Sequence, residues 1–326
     1  MDAKLPADVS DFTALVRLDD AASLDLADDG SDLRFVDAES GELLPHEVES
    51  WSPEGTSTLW VRLPQLRDTT AVHVYGGAGQ VDSAEDAAAT WPASHVAVWH
   101  MDGSEDSTSF GHELSVNGPT DTQGIVGTAF AFDGASDNIN AGSPQNLQNL
   151  FADSATVMAW VRLDAFPESF GRVISKSQTD VGHAGWYFGT AASTGDGQPE
   201  RTLVFYRGLG DGFSGRWAAP TDSVTAGEWA FIAVALDYTK DGVPQFHVDG
   251  EPRFGTSVNG GFSGVNDAPY PLLFGNSPTG GQTVDGDIDE VRILNVALST
   301  ERIALEHLSM RDGLWNIGPL QESPCP

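Results

Sequence analysis

The sequence predicts an all-β protein, a large two-sheet sandwich preceded by a smaller β-rich module. Runs of four to nine residues rich in Val, Ile, Phe, Trp and Tyr recur along the chain, separated by clusters of Gly, Asp, Asn and Pro. In the second part the turn signals come at roughly regular spacing, as in two-sheet sandwiches. One segment, after Ala297-Leu298-Ser299, has the start signal and apolar stripe of a helix. With 40% hydrophobic residues, nine Trp and 16 Phe in 326 residues, the chain can build a substantial core.

The elements follow in order. Residues 1–80 read as a small β module, near the lower size limit for independent stability. Leu33-Arg34-Phe35-Val36 followed by Ala38-Glu39-Ser40-Gly41-Glu42-Leu43 has hairpin composition. Thr58–Leu63 places Leu59, Val61 and Leu63 on one face, and Ala71–Tyr75 is a further strand. Residues 81–94 are small and acidic, lack a strand period and end near Trp91-Pro92, so they read as a linker or short helix. The sandwich is expected over 95–320, on strands Val96–His100, Ala129–Phe132, Val157–Leu163, Arg172–Ser175, Gly185–Thr190 and Thr202–Tyr206. Trp229–Tyr238, Gln245–Val248, Leu272–Gly275 and Ile288–Leu294 continue it. Asp249-Gly250, between Phe246-His247-Val248 and Glu251-Pro252-Arg253-Phe254, has the composition of a type I′ turn. Ser299 or Thr300 caps the helix, Glu301 sits in its first turn, and Ile303, Leu305 and Leu308 form its stripe. Residues 321–326 read as a tail, in which Ser323-Pro324-Cys325-Pro326 has linker composition.

Charge narrows the partners. The chain holds 32 Asp and 16 Glu against 13 Arg and three Lys, a formal net charge of −32. Such a field repels phosphate backbones and anionic bilayers, so neither nucleic acid nor direct membrane insertion is expected. It suits salty water, as in halophilic proteins, and it suits hard cations such as calcium. The single cysteine, Cys325, allows no internal disulfide and no thiolate metal cluster. No apolar run reaches the length of a transmembrane helix, and no basic-then-apolar leader opens the chain.

Six segments carry a family resemblance. They are Val98-Trp99-His100-Met101-Asp102-Gly103 with Asp106-Ser107, Gly127-Thr128-Ala129-Phe130-Ala131-Phe132-Asp133-Gly134, and Thr156-Val157-Met158-Ala159-Trp160-Val161. Gly227-Glu228-Trp229, Phe246-His247-Val248-Asp249-Gly250 and Gly286-Asp287-Ile288-Asp289-Glu290-Val291-Arg292-Ile293 complete the set. In this order they resemble the bacterial laminin-G-like, concanavalin A-like lectin/glucanase family, which implies a jelly-roll sandwich. The first module, through Leu44-Pro45-His46-Glu47-Val48-Glu49-Ser50-Trp51 and Leu59-Trp60-Val61-Arg62-Leu63-Pro64, resembles a small bacterial domain of unknown function commonly found beside such sandwiches. The pairing implies an extracellular or cell-surface protein.

The same resemblance frames the candidate sites. A retaining glycosidase needs two carboxyl groups about 5 Å apart on one side of the sugar. On a regular strand Asp287 and Asp289 share a face while Glu290 takes the other. The related glucanases carry a Glu-x-Asp-x-x-Glu-type strand, whereas here Val291-Arg292-Ile293 follows Glu290 and the third acid is missing. No catalytic residue is therefore assigned. In lectin-like relatives the acid of this strand often helps hold a structural calcium. The resemblance thus implies Asp289 or Asp287, paired across the fold with Asp102 or Asp106, as a calcium clip; separately, the acidic loop 133–138 offers Asp137 as a ligand of a second cation site, with a self-bonded turn as the favoured alternative. Turn-capping roles suit the clip residues equally.

No histidine pair has metal spacing, and neither a nucleophile elbow nor a phosphate-binding loop occurs. For a sugar platform the candidates are Trp186, Tyr206 and Trp217, with Gly182-His183-Ala184-Gly185 and 208–220 as a rim; the alternative for these rings is the sandwich core. The expected function is a non-catalytic extracellular module binding a glycan or a surface protein, with structural calcium. The alternatives are an adhesive subunit contacting neighbouring subunits of an extracellular assembly and, third, a polysaccharide-active enzyme.

Overall fold

The computed structural model describes residues 5–19, 26–77, 81–167, 170–178, 184–192, 201–209, 214–240, 242–259, 266–311, 314, 315 and 318. Of the expected sugar rim, Gly182, His183 and 210–213 lie outside these residues, as does the tail 321–326 with Cys325. The chain forms two compact units, one of residues 1–92 with 308–326 and the other of residues 93–307.

The first unit holds strands Val9–Asp19 (β1), Arg34–Asp37 (β2), Leu43–Leu44 (β3), His46–Ser50 (β4), Thr56–Leu66 (β5) and Val72–Tyr75 (β6). They form two three-stranded sheets, β1-β5-β4 and β3-β2-β6. Trp60 and Trp91 pack with ring centroids 5.4 Å apart, and the Trp91 indole donates to Glu47 Oε2. The segment expected to be a linker or short helix contains a one-turn helix, Ala87–Thr90 (α1), capped by the Asp86 carboxylate on the Ala89 amide. The C-terminal stretch expected to belong to the sandwich as far as residue 320 joins this unit from residue 308 on. Ser309 Oγ accepts from the Leu15 amide and the Trp315 indole donates to the Leu15 carbonyl.

The second unit is the sandwich. Its strands are His95–Trp99 (β7), Ser115–Asn117 (β8), Thr120–Gln123 (β9), Thr128–Asp133 (β10), Asn138–Asn140 (β11), Ser154–Ala165 (β12), Phe170–Ser177 (β13) and Ala184–Ala191 (β14). Thr202–Leu209 (β15), Ser214–Ala218 (β16), Trp229–Asp237 (β17), Gln245–Val248 (β18), Glu251–Arg253 (β19), Thr256–Asn259 (β20), Leu273–Phe274 (β21) and Asp285–Leu294 (β22) follow. The first sheet runs β19-β18-β17-β12-β22-β10-β9, with β7 also on β22; the second runs β20-β16-β15-β14-β13-β21-β11-β8. Period-two alternation builds the core between them. Val157, Ala159, Val161 and Leu163 of β12 and Ile232, Val234 and Leu236 of β17 meet Trp186, Phe188, Leu203, Phe205 and Phe274. Each large side chain removed from water contributes about 1.5–3 kcal/mol.

The Asp249-Gly250 turn is a type I′ turn between β18 and β19, with both residues at positive φ (53° and 77°). The helix Thr300–Arg311 (α2) starts as expected, with Ser299 Oγ accepting from the Arg302 amide. Within the second unit it lies against the outer face of the first sheet. His307 packs on Trp160 and Phe231 with centroids 5.4 and 5.8 Å away, and Thr300 Oγ1 sits 3.1 Å from His247 Nε2.

Candidate functional site

Strand β22 departs from regular alternation, and this decides what its acids do. Its core-facing residues are Ile288, Val291 and Ile293. Three positions rather than two separate the first pair, because a bulge opposite Met158–Trp160 adds a residue and Glu290 takes φ 49°. Asp287, Asp289, Glu290 and Arg292 therefore all lie on the outer side of the sheet. The expectation that Glu290 faces away from its two neighbours is corrected accordingly.

None of these acids forms a glycosidase pair. Asp287 is ion-paired with Arg162. Asp289 is fully buried, and its Oδ2 accepts from the amides of Ile125 (2.7 Å) and Val126 (3.1 Å). Glu290 takes His100 Nδ1 at 2.7 Å on one oxygen and Arg292 at 2.7 Å on the other. Arg292 continues to Glu306 (2.8 Å), and Glu306 to Arg302 (3.0 Å). Burial raises the Glu290 carboxyl, but His100 and Arg292 outweigh it and hold the group below the usual carboxylate range.

Asp106, Asp287 and Asp289, expected in a calcium clip, are engaged by groups of the chain itself. Both oxygens of Asp106 are filled by donors from the chain, the Val98 and Thr108 amides on Oδ1 and Thr108 Oγ1, the His112 amide and His112 Nδ1 (2.6 Å) on Oδ2. Burial would lift this carboxyl, yet His112 and those amides bring it below its ordinary value. Burial alone would lower the His112 imidazole, but hydrogen bonds with Asp106 and Asn146 raise it. Asp102 stands exposed in the turn after β7. Asp137 accepts from the Asp133 amide in the loop between β10 and β11. Among the described residues none of these five acids joins two other His, Cys, Asp or Glu ligand atoms within 4.8 Å. Calcium takes six to eight oxygen ligands, and of these acids Asp106 has both carboxylate oxygens already occupied.

The aromatic candidates divide by face. Trp186 is fully buried between the sheets, edge-on to Phe151 at 4.8 Å, with its indole N–H on Asp267 Oδ2. Trp217 is buried there too, over Gly215, where a Cβ would come within 2.2 Å of the ring. Neither ring has a face for a sugar, which corrects their assignment as ligand-binding residues. Tyr206 lies on the outer face of the second sheet, stacked on Tyr187 at 5.1 Å and 6°, but both rings are buried in a cluster with Ala191, Val204 and Ala218, so Tyr206 offers no open face to a sugar either. Burial pushes the Tyr187 phenol up to about 12, against the opposing pull of Arg172 and Arg216.

Register extends this pair into a row. Asn140 faces Leu273, Leu273 faces Ser175, Ser175 faces Tyr187, Tyr187 faces Tyr206 and Tyr206 faces Arg216. At its Leu273 end the row opens into a pocket of 360 Å³ rimmed by Ser136 and Asn138 on one side and Asn276, Ser277 and Thr279 on the other. Asn276 Nδ2 donates to the Asp137 carbonyl (3.1 Å) and its Oδ1 accepts from the Ser277 amide (2.7 Å), which fixes the wall. Hydroxyl and amide side chains around a concave surface hydrogen-bond polyhydroxylated ligands. Apart from Asp137 beside it, sequence reasoning missed this pocket. Asn276-Ser277-Pro278-Thr279-Gly280 carries the signal, a polar turn after a strand, which ordinary loops share.

A family model for the concanavalin A-like lectin/glucanases superfamily matches residues 133–304, and one for a domain of unknown function, DUF2341, matches 29–113. The zebrafish (Danio rerio) adhesion G-protein coupled receptor V1 is 27% identical over 161 residues, 49% of this chain and 2% of the receptor. The binding domain of Paraclostridial Mosquitocidal Protein 1 superposes with a TM-score of 0.53 at 14% identity, over 66% of this chain and 52% of that one. The botulinum neurotoxin serotype G binding domain gives 0.52 at 14%, over 65% and 50%. The binding domain of botulinum neurotoxin DC in complex with SialylT gives 0.50 at 13%, over 67% and 52%. The chain spans about half of those solved chains and a small fraction of the receptor, and at such identities the structural likeness shows the fold alone. The six landmark segments, the paired eight-stranded sheets and a family match over more than half of its length agree, and the chain belongs to the concanavalin A-like lectin/glucanases superfamily.

Proposed function

We propose that this chain is a non-catalytic extracellular binding module that takes a glycan on the outer face of its second sheet. The observation that carries the reading is the pocket beside Leu273, lined by Ser136, Asn138, Asn276, Ser277 and Thr279. The commitment of Asp287, Asp289 and Glu290 to protein partners argues against glycoside hydrolysis at β22. The toxin binding domains of the same fold support a surface ligand in general, without bearing on its charge. Calcium has no part in the reading.

The test is a glycan array followed by titration calorimetry on the best ligand. Asn138→Ala and Ser136→Ala are expected to weaken binding about tenfold, the worth of a hydrogen bond or two, with the melting temperature unchanged. Undiminished binding by both variants rules the pocket out. The likeness to a segment of an adhesion receptor favours a second reading, an adhesive subunit working by protein contact. That reading is supported if no glycan binds while a protein partner, or a second copy of the chain, is captured.

A further inference from the structure

We propose that the pocket selects uncharged sugars and excludes acidic glycans, an inference that rests on the reading of this pocket as a glycan site. No lining side chain is ionisable: Ala135, Ser136, Asn138, Leu273, Asn276, Ser277, Pro278, Thr279 and Gly280 supply only hydroxyl, amide and apolar groups. Recognition of a carboxylate or sulfate calls for a cation, and the guanidinium fork is the usual one. None lines the pocket, and Arg216 of the same row stands at its far end, facing Tyr206. Arg172, on the neighbouring strand β13, is fully buried, donating to Gln282 Oε1, Ser175 Oγ and Ser177 Oγ with its Cζ 4.4 Å from the Tyr187 ring centroid. Arg162 is paired with Asp287, Lys240 with Asp237, and Lys176 is buried against Ser143 and the Tyr270 carbonyl.

The surroundings are instead negative, and they are fixed in place. Asp133 Oδ1 accepts the amides of Ala135, Ser136 and Asp137, so its carboxylate is built into the loop that forms one wall. Those amides hold its carboxyl below the ordinary range, which keeps it ionised through neutral and mildly acid pH. Asp137 is tied to the other wall through its carbonyl and Asn276. Asp285 is the cross-strand partner of Asp133 and packs close to Gly134. These carboxylates do not line the pocket, but they stand in and beside the loop that forms its wall, and they repel an anionic ligand that no lining cation would hold. The chain's net charge of −32 adds to the repulsion at longer range.

The experiment compares matched oligosaccharides, neutral and sialylated or uronate-bearing, by calorimetry at low and high ionic strength. At low salt the neutral member is expected to bind at least about tenfold more tightly, and the gap to narrow as salt screens the carboxylates. The double variant Asp137→Asn/Asp285→Asn, which keeps side-chain acceptors, is expected to bring the acidic ligand several-fold closer and leave the neutral one unchanged. Equal or tighter binding of the acidic member overturns the selection while sustaining the glycan reading. Absence of binding by either class overturns both.

Discussion

Asp289 accepts the Ile125 and Val126 amides on one buried oxygen, and each amide left without an acceptor costs about 1–3 kcal/mol. Asp289→Ala is thus expected to lower unfolding stability by roughly 2–5 kcal/mol in a denaturant titration. A chelator is expected to leave the melting temperature of the native chain where it is; a downward shift of several degrees would restore calcium to the fold. His247, buried on the outer face of the first sheet, is lowered by burial to about 4. An unfolded imidazole titrates near 6.5, so stability from the neutral ring is complete above that pH and falls as the solution is acidified toward 4. The loss is on the order of 3 kcal/mol at most. It is measured as the difference between native protein and His247→Gln, whose stability should fall less over that window. Arg207 is fully buried on β15, and none of its guanidinium nitrogens has a hydrogen-bond partner among the described residues; its neighbour is the Tyr238 ring, 4.9 Å away. A buried cation without a hydrogen-bonding partner is costly. Arg207→Met is expected to melt at the same temperature or higher, and a large drop would show that the charge has an unrecognised partner. At this scale the sequence was informative about residue type and poor about partners. Asp289 stood out in its motif, but the amides it binds lie over 160 positions away in a plain Gly-Ile-Val turn.

The strands were legible because their inner faces alternate, and the Asp249-Gly250 hairpin because only a few residues tolerate two successive positive φ angles. Gly250 also lies under α2, where a Cβ would stand 3.0 Å from Ala304 Cα. Gly250→Ala combines that contact with a left-handed backbone and is expected to destabilise by about 1–2 kcal/mol in a denaturant titration. Losses well below that would mean the helix shifts to make room. The bulge in β22 was hidden, since an inserted outward residue leaves the local composition strand-like and shows only in pairing. Its effect is large: it brings Glu290 and Arg292 to the same side, where they join His100, Glu306 and Arg302 in a buried chain of alternating charge. The pocket escaped sequence reading for a different reason, because Ser, Asn and Thr in a turn look alike whether they bind their own backbone or a ligand.

As a whole the molecule carries far more negative than positive charge, and self-repulsion of this size opposes compaction. Added sodium chloride is therefore expected to raise the melting temperature through the range in which screening sets in, and a flat response would mean that the acids are already too far apart to interact. Strand β22 ties the sandwich together lengthwise. One of its edges lies on β12, and its other edge is shared between β10 and β7. Leu294 faces His95, and the Asn295 amide reaches the Ser94 carbonyl. A chain emerging from the ribosome thus holds β7 and β10 with an open flank until about 150 further residues have been made after β10, and the sheet closes only when its last strand arrives. Contacts so distant along the sequence make for slow closure and a long-lived exposed edge. An open strand edge invites pairing with a neighbour, and like charge at the density of this chain opposes the approach of a second copy.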